Sequence, residues 1–315
     1  MSLALLFPGQ GSQRPSMLTA LPDSPAVRAV LDESRSCLDD LGVDPVLDDA
    51  GALRDTTNVQ LALLIAGVAS ARALCADQHM SPRFVAGHSV GAFAAAVSVG
   101  VLTLVDALIA VRLRGELMKD ACADGNWGMA AVTGLPLRTV QQMVLRVHTE
   151  DQPVWVANVN SATQTVLSGS ILALRTASEA ARDAGAADCE LLDIAVASHC
   201  PLQAATARRL RGHLAGLAPR TPTGRYLTNT RGRSVTSAEA ILDDLAEAVA
   251  RPVQWYTASR LLPELGVTCA VETNPGHVLT RLNNANAPAV LSLSLEDVGL
   301  EVTASRVRRG LHDQS

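Results

Sequence analysis

Two hydrophobic rhythms alternate along this chain: short apolar runs cut off by glycine or proline, and longer stretches in which apolar positions recur every third or fourth residue. Residues 3–7 form an apolar run halted by Pro8 and Gly9, the pattern of a buried strand entering a tight loop. Helical spacing follows over 27–41, and 60–76 is so continuously apolar, with Ala and Leu dominant, that it predicts a helix buried on all sides. A short strand at 83–86 leads through Gly87-His88-Ser89-Val90-Gly91 into a small-residue helix at 92–99, and a further helix, with Gly115 inside it, spans 104–119. Strand, tight turn and helix in succession predict an α/β fold built on a parallel sheet.

Near Gly125 the texture changes. The pattern predicts a strand at 129–133, a helix at 137–147, strands at 154–159 and 165–167, a helix at 171–184 closed by Gly185, and a last strand at 189–196. That βαββαβ order is the ferredoxin-like unit. We therefore expect a small ferredoxin-like domain at 126–197, inserted into a large α/β-hydrolase-like domain formed by 1–125 and 198–315. The alternative is that the inserted elements extend the main sheet.

Composition narrows the function classes. With 48% apolar and 18% charged residues the chain can build a full core, and only 3% are aromatic, which suits helices packed on a sheet better than a stacking platform for nucleic acid. A formal charge of -5 lacks the basic footprint of a nucleic-acid binder, although Arg208, Arg209 and Arg211 form a small cluster, as do Arg306, Arg308 and Arg309. Such clusters are usually solvated helix faces, with docking of an acidic partner the alternative. The six cysteines lack paired spacing and read as reduced thiols, neither a disulfide framework nor a zinc site. The opening residues lack the basic and apolar regions of a signal peptide, and the apolar run 61–69 is too short to span a bilayer, so a soluble, cytoplasmic protein is expected.

Gly87-His88-Ser89-Val90-Gly91 fits the G-x-S-x-G nucleophile elbow, where a sharp strand-to-helix turn leaves no room for side chains beside the serine. The turn aims the Ser89 oxygen at the first turn of the following helix, whose free N–H groups, with Val90 the natural donor, can stabilise an oxyanion. A serine needs a base. Of the seven histidines His88 would point away, and His199 is the better candidate, since Ser198-His199-Cys200-Pro201 lies where the chain returns from the small domain to the large one. A lone histidine is also an ordinary loop residue. No Asp or Glu stands out as a third member, so a Ser–His dyad oriented by a carbonyl is the simpler arrangement. After the first strand, Phe7-Pro8-Gly9-Gln10-Gly11-Ser12-Gln13 is Gly-rich without being a phosphate loop, and the Gln10 N–H is placed to complete the oxyanion hole with Val90.

Together these motifs, in this order and at this spacing from about residue 3 to 283, resemble the malonyl-CoA:acyl-carrier-protein transacylases. The resemblance implies that Ser89 is acylated, that His199 acts as base and then acid, and that the Gln10 and Val90 N–H groups form the oxyanion hole. It further implies that Arg114 grips the free carboxylate of malonate, a task suited to a planar guanidinium, and that the Gln254 main-chain carbonyl orients the histidine. Ala92 stands where fatty-acid-synthesis members usually carry glutamate. With the segment 57–67, that form looks like the epsilon subunit of malonate decarboxylase, which passes malonyl from coenzyme A to the complex's own carrier protein. The implied partners are a coenzyme A thioester, an acyl carrier protein and other decarboxylase subunits. No metal or bound cofactor is expected, because the carrier brings its own prosthetic thiol. Three other readings stay open: a transacylase of fatty-acid or polyketide synthesis, a serine thioesterase or esterase, and a non-catalytic carrier-docking subunit.

Overall fold

The first strand, β1 (Ser2–Phe7), is buried along its whole length, and its two faces feed different cores. Leu3, Leu5 and Phe7 point into one hydrophobic cluster, and Ala4 and Leu6 into the other. A strand covered on both sides has no polar face to show, which is why it reads as an uninterrupted apolar run. In this computed structural model, residues 2–218 and 220–312 are described. After β1 come α1 (Pro25–Asp40), α2 (Thr56–Arg72), β2 (Phe84–Gly87), α3 (Gly91–Ser98) and α4 (Leu104–Ala121). The chain then builds β3 (Trp127–Thr133), α5 (Leu137–Val147), β4 (Val154–Val159), β5 (Gln164–Ser170), α6 (Ile171–Asp183) and β6 (Asp188–Leu191). It continues through α7 (Ala204–Ala215), β7 (Arg225–Leu227), β8 (Ser234–Val235), α8 (Ala238–Glu247), α9 (Trp255–Glu264) and β9 (Val267–Glu272). The remaining elements are α10 (Val278–Asn286), β10 (Leu291–Ser294), α11 (Leu295–Val298) and α12 (Leu300–His312).

Two sheets result. The larger is six-stranded in the order β10-β9-β1-β2-β7-β8, parallel throughout except for the short edge pair β7–β8. The smaller is four-stranded and antiparallel in the order β4-β5-β3-β6. It has its own apolar cluster, in which Val140 and Val144 of α5 and Leu174 and Ala177 of α6 cover Ala130, Val132 and Leu167 of the sheet. The inserted elements therefore form a separate sheet and do not extend the main one. Val253 joins the two sheets: it accepts from the Val159 N–H and donates to the Ala157 carbonyl, each at 2.8 Å.

Two expectations about elements need correction. The strand predicted at 189–196 ends at Leu191. The Leu192 N–H still reaches the Met129 carbonyl, but the next residues turn off the sheet and bring Leu192 and Ile194 to the cleft that holds Ser89. The apolar stretch after Asp55 is also longer than the run 61–69 suggests. As a continuous helical segment, Thr56–Asp77 has the length and apolarity to cross a membrane, yet 83% of its most apolar window is buried inside the protein. It starts where the Asp55 carboxylate caps the Thr57 and Asn58 N–H groups, and neighbouring helices wrap it.

The contact between α2 and α4 fixes the position of Arg114. A Cβ added to Gly115 would lie 2.7 Å from Thr57 Oγ1 and 2.8 Å from Thr57 Cα, so the two helices touch where only glycine fits. Gly115 is unfavourable for a helix by about 1 kcal/mol relative to alanine, a cost that the close approach explains. Gly115→Ala is therefore expected to destabilise the fold by about 1–3 kcal/mol despite its better helix propensity, as an overpacked contact should. Urea unfolding checks this; a variant as stable as the parent would mean that the helices part freely.

Candidate active site

The turn between β2 and α3 carries Ser89 at φ 53°, a left-handed conformation that costs a non-glycine residue of order 1–3 kcal/mol. The flanking glycines are needed for space rather than for unusual dihedrals. A Cβ on Gly87 would lie 2.2 Å from the Ala92 nitrogen, and one on Gly91 would lie 2.2 Å from the Phe7 carbonyl oxygen. The elbow is thus wedged between the start of α3 and the end of β1, and Ser89 projects from the crest of the bend.

His199 meets it from the other side. Its Nε2 lies 2.8 Å from Ser89 Oγ, across 110 residues of sequence. Its Nδ1 lies 2.5 Å from the Ala248 carbonyl, and its N–H donates to the Val249 carbonyl at 2.7 Å. Because a carbonyl can only accept, the ring proton is assigned to Nδ1, and Nε2 is left as the acceptor facing the serine hydroxyl. The expected role of Gln254 is corrected by this contact: the carbonyl on the ring belongs to Ala248, and the Gln254 carbonyl caps α9 by accepting from the Ala258 N–H. Ala248 and Gln254 sit on the same stretch of chain, but the turn at Ala248–Ala250 offers the earlier carbonyl.

Arg114, on α4, completes a trio. Its Nη2 lies 3.2 Å from Ser89 Oγ and its Nη1 donates to Gln60 Oε1 of α2, while only 2% of the residue is exposed. No carboxylate pairs with it among the described residues. Burial lowers its pKa to about 10, so it stays cationic at neutral pH. Burial, and then the positive charge of Arg114, lower His199 to about 3, so the imidazole is neutral and available as a base.

The Gly9–Ser12 loop lies against the elbow. A Cβ on Gly9 would meet the His88 carbonyl oxygen at 2.5 Å, which only glycine permits. Gln10 and Val90 both line the cleft, and among the described residues neither N–H finds an acceptor. Two amide N–H groups without an acceptor among the described residues thus belong to residues lining the same cleft as Ser89. The opposite wall comes from the small sheet through Met129, Ala131 and Val166, and from Ile194 in the segment that leaves the sheet after Leu191. His88 lines the same cleft, where its Nε2 meets Asn160 Oδ1 at 3.1 Å.

Ser89, His199, Arg114, Gln10 and Val90 therefore converge on one cleft, and Gln254 does not reach it directly. Sequence reasoning missed Gln60, Ala248 and Asn229, whose Oδ1 accepts from the Ser89 N–H at 2.9 Å. Gln60 stood out only as a polar residue within an apolar helix, a signal that could have marked it. Ala248 contributes a backbone atom and leaves no trace in side-chain pattern.

Comparison with known proteins agrees with this geometry. Residues 4–288 match the family model described as acyl transferase domain. The chain is 34% identical over 304 residues to the malonyl CoA-acyl carrier protein transacylase of Salmonella typhimurium, covering 93% of this chain and 98% of that one. The solved structure of the malonyl CoA-acyl carrier protein transacylase from Coxiella burnetii superimposes with a TM-score of 0.91 at 31% identity, covering 99% of this chain and 98% of that one. A type II PKS acyl-carrier protein in complex with its malonyl-transacylase matches with a TM-score of 0.90 at 32% identity, over 98% of this chain and 100% of that one.

The depressed histidine sets a pH prediction. Modification of Ser89 by a neutral serine reagent, phenylmethanesulfonyl fluoride, needs the unprotonated imidazole. Its rate should stay flat as pH falls through about 6.5, the ordinary histidine value. In Arg114→Ala the cationic charge is gone, His199 rises, and the acid limb should move toward neutral pH. A parent profile that halves near pH 6.5 would mean that neither burial nor Arg114 depresses His199.

Proposed function

We propose, for a chain that belongs to the acyl transferase domain family, that it transfers malonyl from malonyl-CoA to the prosthetic-group thiol of an acyl carrier protein through a malonyl-Ser89 ester. One observation carries the choice of acyl group: a guanidinium buried with no carboxylate partner among the described residues, 3.2 Å from the serine oxygen. An acyl chain with a free carboxylate supplies the missing anion and places its thioester carbon at Ser89 in the same act.

In the first half-reaction the Ser89 hydroxyl gives its proton to His199 Nε2 as Oγ bonds to the thioester carbon. The Gln10 and Val90 N–H groups hold the resulting oxyanion. The carbon–sulfur bond then breaks, and the proton passes from His199 to the departing coenzyme A sulfur. In the second half-reaction the carrier thiol gives its proton to His199 and its sulfur attacks the ester. Oγ leaves and recovers the proton. A malonyl carboxylate on Arg114 also offsets the charge that, after burial, depresses His199, so the matching substrate strengthens the base that takes the Ser89 proton. The reading needs no bound metal or cofactor.

Three finer readings belong with it. We read residues 126–197 as a ferredoxin-like domain and 1–125 with 198–315 as an α/β-hydrolase-like domain, supported by the β4-β5-β3-β6 order with α5 and α6 on one face. Within the family we favour the malonyltransferase subunit of malonate decarboxylase, supported by Ala92 in place of the usual glutamate. Ala92 lies in the first turn of α3 and is 1% exposed. The working compartment is then the cytoplasm, alongside the carrier and the other decarboxylase subunits.

Arg114→Ala should lower kcat/KM for malonyl-CoA about 10–100-fold, the worth of a charged hydrogen bond, while acetyl-CoA turnover holds or rises. An unchanged preference for malonyl would remove the role of Arg114. Acceptor choice tests the rest: with malonyl-CoA and a holo carrier protein, malonyl should appear on the carrier thiol faster than free malonate forms. Faster hydrolysis would favour a thioesterase, and a preference for a fatty-acid-synthesis carrier over a malonate decarboxylase carrier would overturn the branch.

A further inference from the structure

The strained elbow must be held, and the sheet that leads into it stops too soon to do so. Pairing between β2 and β7 runs Phe84 with Arg225, Val85 with Tyr226 and Ala86 with Leu227, and ends there. Beyond that point the β2 chain bends into the left-handed turn at Ser89, where a straight neighbouring strand cannot follow it. Two backbone groups at the bend, the Gly87 carbonyl and the Ser89 N–H, are left without the ladder.

One side chain meets both. Asn229, two residues past the end of β7, donates from Nδ2 to the Gly87 carbonyl at 2.9 Å and accepts at Oδ1 from the Ser89 N–H at 2.9 Å. Its amide stands in for a backbone peptide and carries the pairing one step around the corner. Donor and acceptor are both needed, which explains an asparagine at this position: aspartate lacks the donor, and alkyl side chains lack both. The residue is 3% exposed, so neither group has bulk water as an alternative.

Asn229 is itself anchored. Its N–H donates to Asp244 Oδ2 at 2.8 Å and its carbonyl accepts from the Gln254 N–H at 2.7 Å. Asp244, also 3% exposed, further accepts from the Tyr226 hydroxyl and from both the N–H and the hydroxyl of Thr230. A buried carboxylate saturated with donors makes a rigid peg under the asparagine. Gln254 therefore serves the site after all, through its N–H and Asn229 and not through its carbonyl and the histidine.

We propose that Asn229, seated on Asp244, is a positioning residue that holds Ser89 in its attacking conformation and keeps the Ser89 N–H out of the oxyanion hole. The proposal rests on Ser89 being the nucleophile. It does not depend on which acyl group is carried.

The test uses the full chain and the neutral reagent phenylmethanesulfonyl fluoride, which needs Ser89 and His199 but no carboxylate. Asn229→Ala and Asn229→Asp should both sulfonylate Ser89 about 10–100-fold more slowly than the parent, the scale of a small misplacement of a reacting group. With malonyl-CoA the same loss should fall on kcat, with KM within about twofold, and the His199 acid limb should stay where it is in Asn229→Ala. If Asn229→Ala does not accumulate as folded protein, Asn229→Asp decides, since it keeps one of the two bonds. Sulfonylation of a folded variant within about twofold of the parent, or a loss confined to KM, would overturn the proposal. A parent enzyme that resists the reagent while still turning over malonyl-CoA would overturn the Ser89 reading, and this inference with it.

Discussion

Inside the cleft a guanidinium meets an amide and a hydroxyl where a carboxylate would ordinarily be, and the neighbouring groups are arranged around that uncompensated charge. Removing an ion from water costs several kcal/mol even after relaxation, and a partnerless one is tolerated only where something else returns the energy. Gln60 solvates one edge of Arg114, and the α2–α4 contact at Gly115 brings that glutamine close enough to do so. Burial, and after it the same charge, hold His199 neutral, and the charge leaves the free cleft short of one negative charge. In the proposed reaction an anionic acyl group supplies it. Selectivity and catalysis then share one interaction, because the carboxylate that satisfies Arg114 also relieves the imidazole.

Around this charge the backbone is fixed with little freedom. The left-handed serine, the glycines wedged against Ala92 and Phe7, and the histidine pinned by Ala248 and Val249 belong to four stretches of chain far apart in sequence. Val253 ties the small sheet to the same segment that carries Ala248, so the two walls of the cleft and the base share one support. Such sharing gives the Ser89–His199 distance a structural cause and makes it more than a coincidence of side-chain rotamers.

Much of this was legible from residues alone, for local reasons. Strands buried on both faces have to be apolar throughout, so β1 and β2 announced themselves, and the glycines at 87 and 91 are demanded by the tightness of the bend between them. The same local logic located α5 and α6 closely, because their helical periods report one buried face each, and β4 as a short, mostly apolar run. What escaped was long-range or backbone-borne. Asn229 acts on Ser89 from 140 residues away, and nothing near it in sequence indicates that its amide replaces a peptide. The histidine's partner is a carbonyl, which every residue owns, so choosing Gln254 over Ala248 had no side-chain signal to correct it. The strand predicted at 189–196 failed because apolar residues there line a cleft rather than a sheet, and hydrophobicity does not distinguish the two.

The most direct measurement is to trap the protein with isotopically labelled malonyl-CoA, digest it and locate the label by peptide mass, then add a holo carrier protein and follow the label. The account predicts one ester adduct on the peptide bearing Ser89, stable in the absence of thiol and discharged onto the carrier. Label on a cysteine, or transfer to the carrier at full rate with Ser89 never modified, would contradict it.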